Sequence, residues 1–418
     1  MNENNFIEVD GIRFETLVPK QDPINKKMKS HEPFSNSLDR ANGIYLEIWE
    51  PDLIVLPIPE RTLPASISFR LGLKLTNQTV KPWKIDSDKI IIPELITSDG
   101  TILERGLNTD HEENKANTPY KGDKLVDTVV YSISSLIDDL ARRGISWVSP
   151  KTAIFISISA KVCWENDLLQ LQLLTNRCQA LNSSCFDALN VGSYQLRFIY
   201  ESSKDRTKNK PRQENLQLRN TKQTKGDRLT TPFVNLRLVK TKPNDKAIEV
   251  DGIRFETTLP ETVISLPEKD NGIETSVPIG IRITNNSKTD FYFNFYNTLI
   301  PEIITSNGEI IKKYYTSNFL KRMLLSDILL AVPGKSIDFF PNAKLLCKKN
   351  RQLKLKIAAG DGGYWIFDNL KAGRYWLRLT YKNKSVETRV EDRNAKKIIL
   401  FKKVWRGMVL GSLVALDL

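Results

Sequence analysis

The sequence predicts an all-β protein built from two tandem antiparallel β-sandwiches, and three observations lead to that prediction. The chain has 418 residues, which is longer than a single hydrophobic core usually supports. Its two halves are related by a long internal repeat. Short β-rich runs separated by turn residues fill both halves, and runs such as LQLQL and LKLKI alternate apolar and polar residues, as half-buried strands do.

The repeat is the most specific of these observations. The nonapeptide EVDGIRFET occurs unchanged at 8–16 and 249–257. IPELITSDG from Ile92 matches IPEIITSNG from Ile300, 208 positions later, and FDALNVGSYQLRFIY from Phe186 matches FDNLKAGRYWLRLTY from Phe367, 181 positions later. The first copy therefore carries 27 extra residues (208 minus 181) between its front and back parts.

The repeat also predicts the domain boundaries. GIYLEIWEP from Gly43 aligns with GIRFETTLP from Gly252, so the first domain already has its own opening strand. We therefore predict a flexible N-terminal arm at 1–41 with a duplicate strand at 7–19, a first domain at 42–240, a linker at 241–247 and a second domain at 248–418. The duplicate strand either docks on an open sheet edge or is an unpaired relic.

The extra residues of the first copy contain one helical pattern. Asp123 is a suitable N-cap, apolar residues follow on one helical stripe, and Arg142, Arg143 and Gly144 are typical of a helix end. This pattern predicts an inserted amphipathic helix at about 123–143.

Several landmarks recur in the order of a known fold type. They are LTN at a strand end, an S-(D/N)-G hairpin, PGKS at 333–336, and G-x-Y-x-L-R-x-x-Y. This order resembles immunoglobulin-like domains and, more narrowly, the bacterial intracellular proteinase inhibitor type. The resemblance implies that Tyr194 and Tyr375 are the strand-F tyrosines of the two sandwiches, but it transfers no inhibitory loop to this chain.

Catalytic patterns are missing from the sequence. The two histidines, His31 and His111, lie in polar segments, and no nucleophile stands beside a base. Gly360, Gly362 and Gly363 fit a hairpin turn better than a phosphate loop, and Asp110 to Glu113 lack the spacing of a calcium loop. We therefore expect no enzyme activity, no cofactor and no metal.

Cysteine usage and segment hydropathy predict where the protein resides. Four cysteines (Cys163, Cys178, Cys185 and Cys347) are too few for a disulfide scaffold, although a reversible Cys178–Cys185 bond is an alternative to free thiols. The N-terminus has no export signal, and no apolar run approaches the roughly 18 residues of a spanning helix. Both points favour a cytoplasmic protein.

The net charge of +13 is concentrated in two equivalent segments. Nine basic and four acidic residues at 201–228 give +5, and nine basic and three acidic residues at 382–406 give +6. We predict two basic hairpins there, and the rings of Tyr381, Phe401 and Trp405, which flank the second, are suited to stacking on bases. The candidate anion- or nucleic-acid-binding residues are Lys204, Lys208, Lys210, Arg212, Arg219, Lys222, Arg389, Arg393, Lys396, Lys397, Lys402, Lys403 and Trp405.

Two functional hypotheses follow. The first is a non-catalytic interaction module that binds another protein, with a proteinase-inhibitor-like binder as one form of it. The alternative is a nucleic-acid or anionic-surface binder that uses the two basic hairpins. The concentration of positive charge also has a purely structural explanation. Lysines on exposed hairpins keep them soluble and block pairing of their edges with other strands.

Overall fold

The computed structural model describes residues 6–9, 12–15, 44–61, 66–85, 89–104, 106–107, 146–175, 184–202, 229–241, 247–267, 274–316, 321–348, 352–392, 395 and 397–418. They belong to two compact units, Met1–Ser37 and Leu38–Leu418. The described residues form strands with one short 3-10 turn, Leu325–Asp327, and no α-helix, so the all-β prediction is confirmed. The helix predicted at about 123–143 lies outside the described residues.

The first unit contains a hairpin of β1 (Phe6–Val9) and β2 (Ile12–Glu15), in which Val9 faces Ile12. The second copy of the same nonapeptide forms β16 (Ala247–Val250) and β17 (Ile253–Thr258), in which Val250 faces Ile253. Its turn residues Asp251 and Gly252 have φ of 50° and 75°, the two positive values that a type I′ turn requires. The segment predicted as one duplicate strand is thus a two-stranded hairpin.

The second unit begins with a six-stranded sheet of the first repeat, in the order β3-β5-β10-β11-β12-β8. Its strands are β3 (Ile44–Ile48), β5 (Ile67–Asn77), β8 (Gly106–Leu107), β10 (Thr152–Glu165), β11 (Leu168–Thr175) and β12 (Ser184–Phe186). A separate ribbon pairs β6 (Trp83–Ile85) with β9 (Ser146–Val148).

A nine-stranded sheet runs through both repeats. Its order is β14-β13-β15-β4-β31-β28-β21, with β7 also on β13 and β32 also on β28. The strands are β4 (Leu53–Pro57), β7 (Lys89–Thr97), β13 (Gly192–Ser202), β14 (Leu229–Thr230), β15 (Val234–Val239), β21 (Leu299–Thr305), β28 (Arg374–Asn383), β31 (Gly407–Leu410) and β32 (Val414–Asp417). Strand β4 joins the repeats because it pairs in parallel with β15 of the first and β31 of the second.

The remaining strands of the second repeat form four further sheets. The larger two have the orders β16-β17-β19-β24 and β18-β25-β26-β27-β22, and the two ribbons are β20-β23 and β29-β30. The strands not yet given are β18 (Glu274–Ser276), β19 (Gly280–Asn285), β20 (Phe291–Asn294), β22 (Lys313–Thr316), β23 (Ile328–Ala331), β24 (Lys335–Phe339), β25 (Ala343–Cys347), β26 (Leu353–Ala358), β27 (Tyr364–Leu370), β29 (Thr388–Asp392) and β30 (Lys397–Phe401).

Each repeat has its own apolar core, and β4 contributes to both. Ile54 and Leu56 belong to the first core, whereas Val55 between them belongs to the second. Strand β31 of the second repeat also contributes to both cores, because Met408 lies in the first core and Val409 in the second. A strand covered on both faces needs an unbroken apolar run, which explains LIVLP and GMVL. The boundaries predicted at 240–248 stay a prediction, since both repeats share this sheet.

Buried asparagines anchor the same turn in both repeats. Asn77 and Asn285 end β5 and β19, and both side chains are fully buried. Each Nδ2 donates to two backbone carbonyls: Asn77 to Lys81 (2.9 Å) and Val148 (2.8 Å), Asn285 to Thr289 (2.8 Å) and Ala331 (2.7 Å). The LTN motif therefore marks a buried side chain that ties a turn to a neighbouring segment.

The two tyrosines of the G-x-Y motif have matching environments. The hydroxyl of Tyr194 donates to the Asn190 carbonyl (3.0 Å) and accepts from the Asn190 N–H (2.9 Å). The hydroxyl of Tyr375 makes the same pair of bonds with Lys371, at 2.9 and 3.1 Å. Each tyrosine thus holds the chain four residues before it against the start of its strand.

Candidate binding surface

Most of the first predicted basic hairpin lies outside the residues that the structure describes. Residues 203–228 lie outside the described part of the chain, and they include Lys204, Lys208, Lys210, Arg212, Arg219 and Lys222. The candidate surface is therefore built from the second basic segment and its surroundings.

The second basic segment forms a hairpin, β29–β30, that is a two-stranded sheet of its own. Arg389 lies opposite Leu400 and Glu391 lies opposite Ile398, so these four side chains share one face. Ile398 is 70% exposed, and the other three are exposed as well. The opposite face carries Val390, which is fully buried. The alternation of strand residues thus turns one apolar-and-charged face toward solvent.

Basic residues lie close to the exposed isoleucine and leucine in the chain. Lys397, Lys402 and Lys403 are exposed at the ends of β30, whereas Arg393 and Lys396 lie outside the described residues. Glu391 is already engaged, because Arg322 pairs with it at 2.8 Å. We call Arg389, Lys397, Ile398, Leu400, Lys402 and Lys403 the hairpin surface.

The structure corrects the role predicted for Trp405. Its side chain is only 6% exposed, and its ring centroid lies 4.9 Å from that of Phe255 and 5.7 Å from that of Tyr381. Tyr381 is fully buried too, and Phe401 packs on Tyr292 with centroids 5.1 Å apart. A ring inside a core cannot stack on a base, so Trp405 and Tyr381 do not belong to a binding surface. The sequence around Trp405 is basic, which hid its apolar environment.

A second surface was missed by sequence reasoning. Trp49 and Phe155 are both nearly half exposed, and their rings meet edge to face with centroids 5.4 Å apart. The Lys74 Nζ lies 4.6 Å and the Lys384 Nζ 4.3 Å from the Trp49 ring centroid. The only sequence signal is Gly72 within a strand: a Cβ there would lie 3.3 Å from the Trp49 Cβ, so the missing side chain makes room for the indole. We call Trp49, Phe155, Lys74 and Lys384 the aromatic surface.

Both repeats contribute cations to the aromatic surface. Lys384 donates from Nζ to the Trp49 carbonyl (2.7 Å), although the two residues are 335 positions apart in sequence. Burial lowers the pKa of Lys384 to about 8, an effect that Glu50 opposes. Lys74 pairs with Glu47 at 2.8 Å and Lys382 with Glu50 at 2.5 Å. Among the described residues, no carboxylate pairs with Lys384, so its charge stays available to an anion at neutral pH.

The other candidate residues of the sequence lead to no site. Cys163 and Cys185 are free and buried, Cys185 donates to Asp187 (2.9 Å), and burial raises its pKa to about 12. Cys178, His31, His111 and Asp110–Glu113 lie outside the described residues. Across the described ranges, no group of three or more His, Cys, Asp or Glu could hold a metal ion.

The glycines after β26 form the turn between β26 and β27. The Ala359 N–H donates to the Gly363 carbonyl (2.9 Å), and Gly362 has a φ of 84°. A Cβ on Gly360 would lie 2.2 Å from the Phe295 carbonyl oxygen. These glycines therefore serve a tightly packed hairpin turn.

Comparison with known proteins adds no family. No family model matches the sequence, and no curated protein matches it. Among solved structures, the chain is similar to dimeric latent PorU from Porphyromonas gingivalis at 8% sequence identity, over 88% of this chain and 34% of that one, with a TM-score of 0.13. The chain spans about a third of the length of PorU. A likeness this weak carries no argument about fold or function. In the part of the chain that is described, no helix is long and apolar enough to cross a membrane.

Proposed function

We propose that this protein is a non-catalytic interaction module that binds an acidic protein partner through the hairpin surface. One observation carries the proposal: Ile398 and Leu400 are exposed side by side on a hairpin that forms a separate sheet. Apolar side chains that project together and are rimmed by polar residues are typical of protein-binding surfaces.

The charge of the hairpin surface defines the kind of partner. The hairpin and the two residues after it carry four positive charges, on Arg389, Lys397, Lys402 and Lys403. Opposite charge on a partner speeds association and excludes wrong partners, while the apolar centre supplies most of the affinity. The fitting partner therefore presents an apolar pocket with acidic residues at its rim.

We propose further that each repeat is an immunoglobulin-like sandwich. The support is the pair of tyrosine hydroxyls, which bond to the backbone four residues upstream as tyrosine corners do. If the resemblance to proteinase inhibitors extends to activity, the protein slows peptide hydrolysis by a bacterial intracellular proteinase. Unchanged hydrolysis with saturating protein contradicts the inhibitor form and leaves the binding module.

The experiment is a pull-down with the full chain from a bacterial lysate, using an Ile398→Asp/Leu400→Asp variant beside the wild type. We expect the variant to lose a protein that the wild type captures, because two carboxylates replace the apolar centre. Val80→Asp is the matched control, since Val80 is 82% exposed and lies away from the hairpin in sequence. The same captured proteins with all three baits contradict the proposal.

A second candidate function is binding of single-stranded nucleic acid, and the aromatic surface favours it. Exposed rings beside lysines are the elements with which proteins stack bases and neutralise phosphates. Retention on single-stranded DNA should then exceed retention on heparin, fall steeply with salt, and decrease in a Trp49→Ala variant. The basic residues of 201–228 are tested in the same way with Lys208→Gln, Lys210→Gln and Arg212→Gln. Equal retention on both resins contradicts this function.

We also propose a cytoplasmic location, which the two buried free thiols support. Fractionation of cells that express the full chain tests it directly. Recovery of the protein outside the cytoplasm contradicts it.

A further inference from the structure

The strand that joins the two repeats has a counterpart in the second repeat. We call residues 262–266 the edge segment. Within it, Val263 lies opposite Asp417 of β32 in a parallel bridge, as Val55 of β4 lies opposite Arg237 of β15. Arg237 and Asp417 are equivalent, because each lies opposite the residue before the tyrosine of the G-x-Y motif. The edge segment therefore has the same place in the second repeat as β4 has in the first.

The side chains of the edge segment show what is missing beside it. Val55 lies in the second core, although β4 belongs to the first repeat, and Leu56 lies in the first core. In the edge segment, Ile264 lies in the core of its own repeat, whereas Val263 is 71% and Leu266 50% exposed. Val263 thus has the position of Val55 without the neighbouring core that covers Val55.

The backbone of the edge segment has one free side as well. The Ile264 N–H donates to the Asp417 carbonyl (2.9 Å), and the Asp417 N–H donates to the Thr262 carbonyl (2.7 Å). Because successive residues of a parallel strand direct their backbone groups to opposite sides, the N–H and C=O of Val263 face away from β32. Strand β4 uses this side to pair with β31, but no described strand pairs with it in the edge segment. A free edge of this kind is a template for pairing with another chain.

The first repeat contains the counterpart of β31, which is β14. Leu229 of β14 lies opposite Tyr200, as Val409 of β31 lies opposite Tyr381, and the two tyrosines are equivalent residues of the G-x-Y-x-L-R-x-x-Y motif. Strand β31 pairs with β28 on one side and with β4 on the other. Among the described strands, β14 pairs only with β13. Its other side is free where β31 receives β4.

The relation between the two repeats does not close on itself. Strand β4 lies beside β15, which follows β14, but beside β31, which precedes β32, and these strands all point the same way. The second repeat is therefore displaced along the strands by about one strand length. Because Val55 and Leu56 point to opposite faces of β4, the two cores also lie on opposite faces of the shared sheet. A rotation combined with a displacement generates an open row of units rather than a closed ring.

We propose that the edge segment binds β14 of a second copy of this chain, in the way that β4 binds β31 within one chain. Val263 then lies opposite Leu229 of the next molecule, and the shared sheet continues from one molecule into the next. A second copy is the partner that fits, because its first repeat contains the counterpart of the strand that covers β4.

The assembly is head to tail and can add further molecules, since each chain has one free edge segment and one free β14. It uses neither the hairpin surface nor the aromatic surface, so it is independent of the proposed function.

The test is analytical ultracentrifugation of the full chain at increasing concentrations. We expect the mean mass of the wild type to rise beyond that of a dimer. Val263→Lys and Leu266→Lys should each weaken the association by about tenfold or more, because an ammonium without a partner is costly to bury in the contact. Val80→Lys is the matched control, since Val80 is 82% exposed and lies between β5 and β6, outside both free edges. It should associate as the wild type does.

A further variant blocks the other edge. The Thr231 N–H donates to the Phe198 carbonyl of β13 (2.9 Å), so the N–H of Thr230 points to the free side of β14. Thr230→Pro removes that N–H without removing a hydrogen bond to β13, and it should also weaken the association. An equimolar mixture of Val263→Lys and Thr230→Pro should form a dimer that grows no further, because each variant keeps the edge that the other has lost. Thermal melts establish that each variant is folded.

Three results would overturn the proposal. The first is a wild-type mass equal to that of a single chain at every concentration. The second is association of the folded edge variants that is as strong as that of the wild type. The third is a mixture of the two complementary variants that stays monomeric, since a head-to-tail contact requires them to pair.

Discussion

The two repeats carry the same cross-strand ion pair in different surroundings. Arg197 pairs with Glu94 in the first repeat, and Arg378 pairs with Glu302 at the equivalent positions of the second. Arg197 is 27% exposed and lies over the Phe233 ring at 4.6 Å, whereas Arg378 is 1% exposed. The pair is a local property of the repeated sequence, but its burial depends on what covers the strand. Identical residues therefore have different energetic roles in the two repeats.

The largest expected effect separates the two arginines. Arg378→Ala should lower the free energy of unfolding by about 3–5 kcal/mol, because it leaves Glu302 as a buried charge without its partner. Arg197→Ala should cost about 1 kcal/mol, since its more exposed pair is partly screened by water. Urea unfolding of both variants measures the difference. Equal losses would mean that burial does not distinguish the two pairs.

A second prediction concerns positions where the repeats are alike. Asn77→Ala and Asn285→Ala should each cost about 1–3 kcal/mol, because each substitution leaves buried backbone carbonyls without their donor. The two losses should agree within about 1 kcal/mol, since the hydrogen bonds have the same pattern in both repeats. Unfolding midpoints measured under one condition provide the comparison. A loss of stability in only one of the two variants would contradict the prediction that the two asparagines have equivalent roles.

The smallest effect is a pH dependence. The pKa of Lys313 in the folded state, about 8, lies below its ordinary value of 10.5, so the unfolded chain binds more protons between these two values. The stability of the wild type should therefore rise as the pH rises from about 8 to about 10.5. Lys313→Met should be more stable than the wild type at pH 7, and its stability should rise less with pH.

A second variant, Lys384→Met, tests the same pH dependence. Lys384 also has a pKa lowered to about 8 by burial, so it contributes a rise of the same sign. Removing either lysine should reduce the rise, and removing both should reduce it most. Unfolding titrations at several pH values measure it, and an unchanged pH profile in both variants contradicts the assignment.

Some site residues could be found from the sequence, and others could not. Arg389, Lys397, Lys402 and Lys403 were named from their charge, because lysine and arginine are exposed in almost any fold. Trp405 was misplaced and Trp49 was missed for the opposite reason. An aromatic side chain is suited to a core and to a surface, and only its neighbours in the fold decide between them.

The shared sheet shows the same limit at the level of the fold. Alternation along a strand predicts which residues share a face, and it identified the strands of both repeats. It does not tell which element covers each face. The apolar runs of β4 and β31 are buried on both sides, and only the structure assigns one side to each core.

By itself, the sequence determined the duplication, the β-rich character and the position of the repeated tyrosines, whereas EVDGIRFET was predicted as one strand and forms a hairpin. The nonapeptide forms that hairpin with the same register in both places, and in the second copy the turn consists of Asp251 and Gly252. Tertiary structure alone decided that β4 joins the two repeats, that Trp405 is buried and Trp49 partly exposed, and that Arg378 is buried whereas Arg197 is partly exposed. Those outcomes depend on contacts between residues hundreds of positions apart, and no local pattern records such contacts.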